Sequence, residues 1–262
     1  NKAVLTITAN NASATYGTAF SVGSGKTAFS SSGLVNSETI GSVTLSSSGA
    51  SATATVAGGP YAIVASAATG GTFNVSNYTV SYVNGSLTIN PKALTVSGST
   101  VVAKTYDGGT AATITGGSLV GVVNSDVVTL NQAGTFASAN AASSIAVTAN
   151  NSLSGTKASN YSLTQPIGLT GTINKATLIL SGNRAYDGTT TIDGSILTAS
   201  AGIGSESFAL TGSAASAISS ANANGTPYSL STVTGLALGA GSGGALASNY
   251  NAISIANSAV TI

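Results

Sequence analysis

The sequence predicts an all-β or mostly β protein, three small tandem domains in an elongated row, and three observations carry that prediction. Short apolar runs alternate with polar residues at a period of two, as in Leu5/Ile7, Leu94/Val96 and Leu178/Leu180, the pattern of half-buried strands. No segment sets apolar residues at i, i+3, i+4 and i+7 between caps, so helix should be scarce. The same landmarks also return three times in one order, which marks internal repeats.

Each repeat opens on a lysine-led strand: Lys2-Ala3-Val4-Leu5, Lys92-Ala93-Leu94-Thr95 and Lys175-Ala176-Thr177-Leu178. A tyrosine–glycine turn follows: Tyr16-Gly17-Thr18, Tyr106-Asp107-Gly108-Gly109 and Tyr186-Asp187-Gly188-Thr189. Serine with an acid then precedes an apolar stretch at Ser37-Glu38, Ser125-Asp126 and Ser205-Glu206. Near each end stands Ser-Asn-Tyr, with tyrosines 78, 161 and 250. The spacing of about 80–90 residues suits a small domain, and the expected boundaries give domains 1–90, 91–174 and 175–262.

The closing segments read as hairpins. Asn84-Gly85 between alternating residues is a strong two-residue turn signal, because both positions of that turn need positive φ. It would set Tyr82 opposite Leu87 and Val80 opposite Ile89; an equivalent pairing in the third repeat would join Ile255 to Val260 and Ile253 to Ile262. With few aromatics, the core must come from Val, Ile, Leu and Ala, with the recurring tyrosines placing rings inside and hydroxyls on backbone. In the tyrosine turns, Asp107 and Asp187 are placed to bond the backbone ahead of them, while Gly17, Gly108 and Gly188 accept positive φ. This assigns Tyr16, Tyr106, Tyr186 and their neighbours a structural turn motif.

Composition narrows the chemistry. The chain has seven basic and six acidic residues, 5% charged, against about 25% in ordinary domains. Without His or Cys it has no imidazole base, thiolate nucleophile or ordinary zinc ligand set. A net charge of +1 lacks the footprint of a nucleic-acid binder, and no apolar run approaches the roughly 18 residues of a spanning helix. The six acids are scattered, with no EF-hand or nonapeptide calcium repeat, so no metal, cofactor or catalytic residue is expected and the chain reads as a non-enzyme. No leader pattern opens at Asn1, so a secretion signal is expected outside this segment.

The Tyr-Asp-Gly turns at 106–110 and 186–190, each between a Lys-Ala opening and a Ser-Asn-Tyr closing, resemble bacterial YDG repeat domains. Tyr16-Gly17-Thr18, in a unit ending Thr88-Ile89-Asn90-Pro91, is similar to the sister MBG domain of the Tyr-Gly type. The resemblance implies a mostly-β fold related to the β-grasp and an extracellular place, on the bacterial surface or in secreted matrix, in a large adhesin of filamentous-haemagglutinin or biofilm-matrix type. Its implied role is a stalk whose partners are flanking domains of the same long chain. The alternative is a module that binds polysaccharide, a host receptor or an abiotic surface directly. Such sites use exposed aromatics, and Tyr61 and Tyr228, which lie outside the recurring landmarks, are the candidate contacts.

Overall fold

The computed structural model describes residues 1–262 and is all-β apart from four single turns of 3-10 helix. The first two alternating openings are strands: in Ala3–Ala9, Leu5 and Ile7 are fully buried while Val4 faces outward, and Lys92–Ser97 buries Leu94. In the third repeat the strand starts only at Ile179, so of the pair Leu178/Leu180 it includes Leu180 alone. Each Ser-Asn-Tyr closes a 3-10 turn, Val75–Asn77, Ala158–Asn160 and Ala247–Asn249, and the tyrosine that follows resumes extended backbone. Asn and Ser favour such turns because their short side chains compete for local backbone groups.

Two parallel pairings organise every repeat. The Ser-Asn-Tyr strand runs parallel to the opening strand, Tyr78–Val83 beside Ala3–Ala9 and Tyr161–Leu163 beside Lys92–Ser97. In the third repeat this contact shrinks to one bridge between Ala176 and Tyr250. The closing strand runs parallel to the strand leading into the tyrosine turn: Gly85–Asn90 with Ala12–Thr15, Leu169–Asn174 with Lys104–Thr105, and Ala259–Thr261 with Ile179–Asn183. Parallel partners need a crossover between them, and here most of the repeat supplies it.

These pairings correct the expected hairpins. Tyr78–Val83 and Gly85–Asn90 do not pair with each other; one joins the sheet Phe29–Ser32, Ala3–Ala9, Tyr78–Val83, the other the five-stranded sheet that includes Tyr61–Gly71 and Ile40–Ser46. Tyr82 therefore lies beside Ile7, and Leu87 beside Ala12 and Tyr61. Gly85 has no positive φ. A glycine is needed because a Cβ there would sit 2.5 Å from the Ala9 carbonyl oxygen and 2.6 Å from that of Asn10. In the third repeat, residues 251–258 form no strand, Ile255 is exposed, and Ala259–Thr261 takes its place beside Ile179–Asn183.

The chain folds into two compact units whose cuts fall inside the middle repeat rather than at residues 90 and 174. The first comprises Asn1–Gly98, Gly117–Asn131 and Asn151–Pro166; the second Ser99–Gly116, Gln132–Asn150 and Ile167–Ile262. Each has one core. In the first, Leu5, Ile7, Val43, Leu45, Ile63 and Leu87 pack with Leu94 and Tyr161 of the middle repeat. In the second, Ile114, Phe136, Val147 and Ile173 of the middle repeat pack with Leu180, Ile192, Phe208 and Val260. The middle repeat thus divides its buried side chains between two cores. A domain of that size buries only a modest share of its surface, and sharing cores enlarges each one.

Replacing Gly85 with Val forces a side chain against two backbone carbonyls, which should lower the stability of the first unit by about 1–3 kcal/mol. An unchanged denaturant midpoint would show that the strand switch at Gly85 is misplaced.

Candidate functional site

The recurring landmarks converge on one kind of site, a joint between successive repeats. In the first unit, the turn tyrosine of the first repeat, Tyr16, donates its hydroxyl to Asp126 Oδ2 at 2.7 Å. Tyr161 of the middle repeat donates to the same oxygen, also at 2.7 Å. The two rings meet edge to face, 5.4 Å apart at 81°, a favoured aromatic geometry. In the second unit the arrangement recurs one repeat later. Tyr106 donates to Glu206 Oε1 at 2.7 Å, Tyr250 donates to Glu206 Oε2, and their rings stand 5.5 Å apart at 76°. One half-buried carboxylate therefore ties together a tyrosine from its own repeat and one from the repeat before.

The local sequence explains how each part is placed. The acid ends a tight turn closed by Asp126 N–H to the Val123 carbonyl and Glu206 N–H to that of Ile203, both 3.0 Å. Asn124 and Ser125 take positive φ there, a conformation that short polar side chains tolerate. The turn glycine then allows close approach: a Cβ on Gly17 would lie 2.5 Å from Val123, and one on Gly108 3.3 Å from Ile203. The asparagine of Ser-Asn-Tyr completes the joint. Asn160 Oδ1 accepts the Val56 N–H at 3.0 Å, Asn249 Oδ1 accepts the Ala141 N–H at 2.9 Å, and both asparagines are buried. A buried amide without such partners would be costly.

The Asp of Tyr-Asp-Gly has a separate, local task. Asp107 Oδ1 accepts the Gly109 N–H at 2.8 Å and the Lys104 ammonium at 2.7 Å. Asp187 Oδ1 accepts the Thr189 N–H at 2.9 Å, while its Oδ2 meets Arg184 at 2.6 Å. The Lys104 hydrogen bond holds the Asp107 carboxyl below its usual range; for Asp187 the Thr189 amide does so first. Gly17, Gly108 and Gly188 all have positive φ. In the first repeat, which lacks the acid, Thr18 N–H closes the turn on the Thr15 carbonyl.

Three expectations need correction. The landmark tyrosines 16, 78, 106, 161 and 250 are buried, but Tyr186 is 64% exposed. Their hydroxyls all reach carboxylates; the expected backbone partners are present as well at Tyr78, on Val35, and at Tyr161, on Val123, but not at Tyr16, Tyr106 or Tyr250. Tyr61 and Tyr228 are half-buried rather than exposed, because each ring packs at the edge of a core and each hydroxyl donates to a backbone carbonyl, Thr55 and Asn222 respectively. Sequence reasoning gave Glu38, Asp126 and Glu206 no role, although their threefold recurrence after serine was the available signal.

Burial, and then the bond to Asp126, pushes the Tyr161 hydroxyl from 10.0 up to about 12. Burial is also the main cause raising Tyr16, Tyr106 and Tyr250. An unfolded tyrosine ionises first as pH rises, so the stability tied to the neutral Tyr161 hydroxyl is complete below pH 10 and lost between pH 10 and about 12. Urea melts across that window should show the first unit weakening, with a shallower fall in Tyr161→Phe; an identical slope in the variant would remove Tyr161 from the joint. Replacing Asp107 with Ala should cost only about 0.5 kcal/mol, since the carboxylate is largely exposed. A calcium-dependent rise in thermal midpoint that this change abolishes would instead make the turn a metal site.

No curated protein and no solved structure matches the chain. Two family models do: the MBG domain of the YGX type over residues 5–88 and the YDG domain over residues 90–168. The matched segments contain the Tyr16 and Tyr106 turns and the joint carboxylate Asp126. Residues 5–88 are thus similar to an MBG domain and residues 90–168 to a YDG domain, both of them repeat domains of bacterial surface proteins.

Proposed function

We propose that the chain is a non-enzymatic, extracellular stalk segment of a large bacterial adhesin, holding an adhesive region away from the cell in surface, cell–cell or biofilm-matrix attachment. The observation that supports this reading is the joint, built twice from equivalent residues. A spacer must limit swinging between neighbours, and each joint constrains several directions at once. A shared carboxylate, two crossed rings and a buried asparagine leave little freedom for one repeat to rotate against the next. Repeats that bury surface on their neighbours behave as coupled neighbours in an array. Asp126 and Glu206, with Tyr16, Tyr161, Tyr106 and Tyr250, are engaged in these contacts rather than collected in a cleft, in keeping with a role outside catalysis.

The test separates spacing from recognition. In the surface protein that carries it, the chain is replaced by an unrelated β-repeat spacer of equal residue count, and cell attachment is measured. A stalk should be replaceable with attachment retained, whereas simple deletion should weaken it. The chain alone should also pass over immobilised matrix polysaccharide without retention. Retention that Tyr61→Ala or Tyr228→Ala abolishes would replace the stalk with a carbohydrate-binding module.

A further inference from the structure

The two joints leave one half-joint unpaired on each of the outer repeats. In the first repeat, Tyr78 donates to Glu38 Oε2 at 2.5 Å and accepts the Val35 N–H at 3.1 Å, just as Tyr161 meets Asp126 and accepts from Val123. The acid-bearing turn is the same, with Asn36 and Ser37 at positive φ and Glu38 N–H bonded to the Val35 carbonyl. Yet no turn tyrosine from another repeat reaches Glu38. Val35 is 46% exposed, whereas Val123 and Ile203 are half-covered by the preceding glycine turn. Asn77 is exposed where Asn160 and Asn249 are buried. Val35 and Asn77 line an open hollow of about 520 Å³.

The third repeat carries the complementary half. Tyr186 is 64% exposed, and the only atom near a Cβ on Gly188 would be the Tyr186 hydroxyl, 3.9 Å away. The turn itself is formed, with Gly188 at positive φ and Asp187 capping Thr189. The equivalent tyrosines Tyr16 and Tyr106, by contrast, are buried in their joints.

We propose that Glu38 and Tyr78 form an acceptor site for a tyrosine–glycine turn, and that its occupant is the Tyr186-Asp187-Gly188 turn of a second copy of this chain placed head to tail. The two observed joints define the contact: the Tyr186 hydroxyl donates to Glu38, its ring crosses that of Tyr78, and Gly188 lies on Val35. Backbone geometry supports the same match. Tyr16 N–H bonds to the Asn90 carbonyl and Tyr106 N–H to that of Asn174, the asparagine that follows Thr-Ile at each repeat boundary. The third repeat also ends its closing strand on Thr-Ile, at Thr261-Ile262, so in a head-to-tail tandem an asparagine placed next would offer Tyr186 the equivalent carbonyl. The inference rests on the recurrence of the joint and not on a place at the cell surface, so its test and that of the stalk reading fail separately.

The experiment uses two full copies in one polypeptide, Ile262 of the first followed directly by Asn1 of the second. Tyr186→Ala in the first copy should lower the thermal midpoint of the tandem by about 4 °C, and the same change in a single chain should leave it unmoved. The natural sequence has no cysteine, so Gly188→Cys in the first copy and Val35→Cys in the second supply the only thiols. Mild oxidation should join them within one molecule, read as a loss of two hydrogens in intact mass. A Tyr186→Ala change that is silent in the tandem, or thiols that stay reduced there, would overturn the proposal.

Discussion

A single carboxylate that accepts two tyrosine hydroxyls, one from its own repeat and one from its neighbour, is the constraint on which the arrangement of this chain depends. Asp126 and Glu206 each bond a tyrosine roughly a hundred positions earlier in the sequence. The carboxylate needs donors where its half-buried position limits water, and the tyrosines need acceptors for hydroxyls carried inward on apolar rings. Each group satisfies the other's requirement. Once the pair forms, the glycine turn must pass close to Val123 or Ile203, and the Ser-Asn-Tyr asparagine must meet backbone from the preceding repeat.

This constraint also explains why the packing units are not the sequence repeats. An 85-residue segment rich in Ala, Ser, Thr and Gly has few large side chains with which to build its own interior. The middle repeat contributes Leu94 and Tyr161 to one core and Phe136 and Ile173 to another. Sharing interiors lets small residues suffice, because each core draws large side chains from two repeats. The parallel pairings serve the same end: they set the Ser-Asn-Tyr strand beside the opening strand and the closing strand beside the strand that enters the tyrosine turn, so both turns occupy fixed places.

Much of this was legible before any coordinates. Period-two alternation located the opening strands, the absence of capped helical patterns matched a fold with only single 3-10 turns, and the order of landmarks marked the repeats. The choice of partners was not legible, for a physical reason. Alternation at Thr79–Val83 and Ser86–Ile89 reports that each run has a buried face, but not which strand lies alongside it. Asn84-Gly85 has the residue types of a tight turn, yet Gly85 is required by two nearby carbonyls in extended backbone. Likewise the recurrence of Glu38, Asp126 and Glu206 was visible, while the tyrosines they bind are distant in sequence and became neighbours only through folding.

The scarcity of charge has a consequence for the solutions this chain tolerates. Its two ion pairs, Lys104–Asp107 and Arg184–Asp187, lie within single turns on exposed carboxylates, where dissolved ions screen them readily. The contacts between repeats set neutral hydroxyl donors on a single half-buried carboxylate and add crossed rings and aliphatic surface, with no ion pair among them. Such contacts do not weaken as mobile ions accumulate, and apolar burial strengthens in salts excluded from protein surfaces. The cohesion of successive repeats therefore does not depend on ion pairs that dissolved salt would screen.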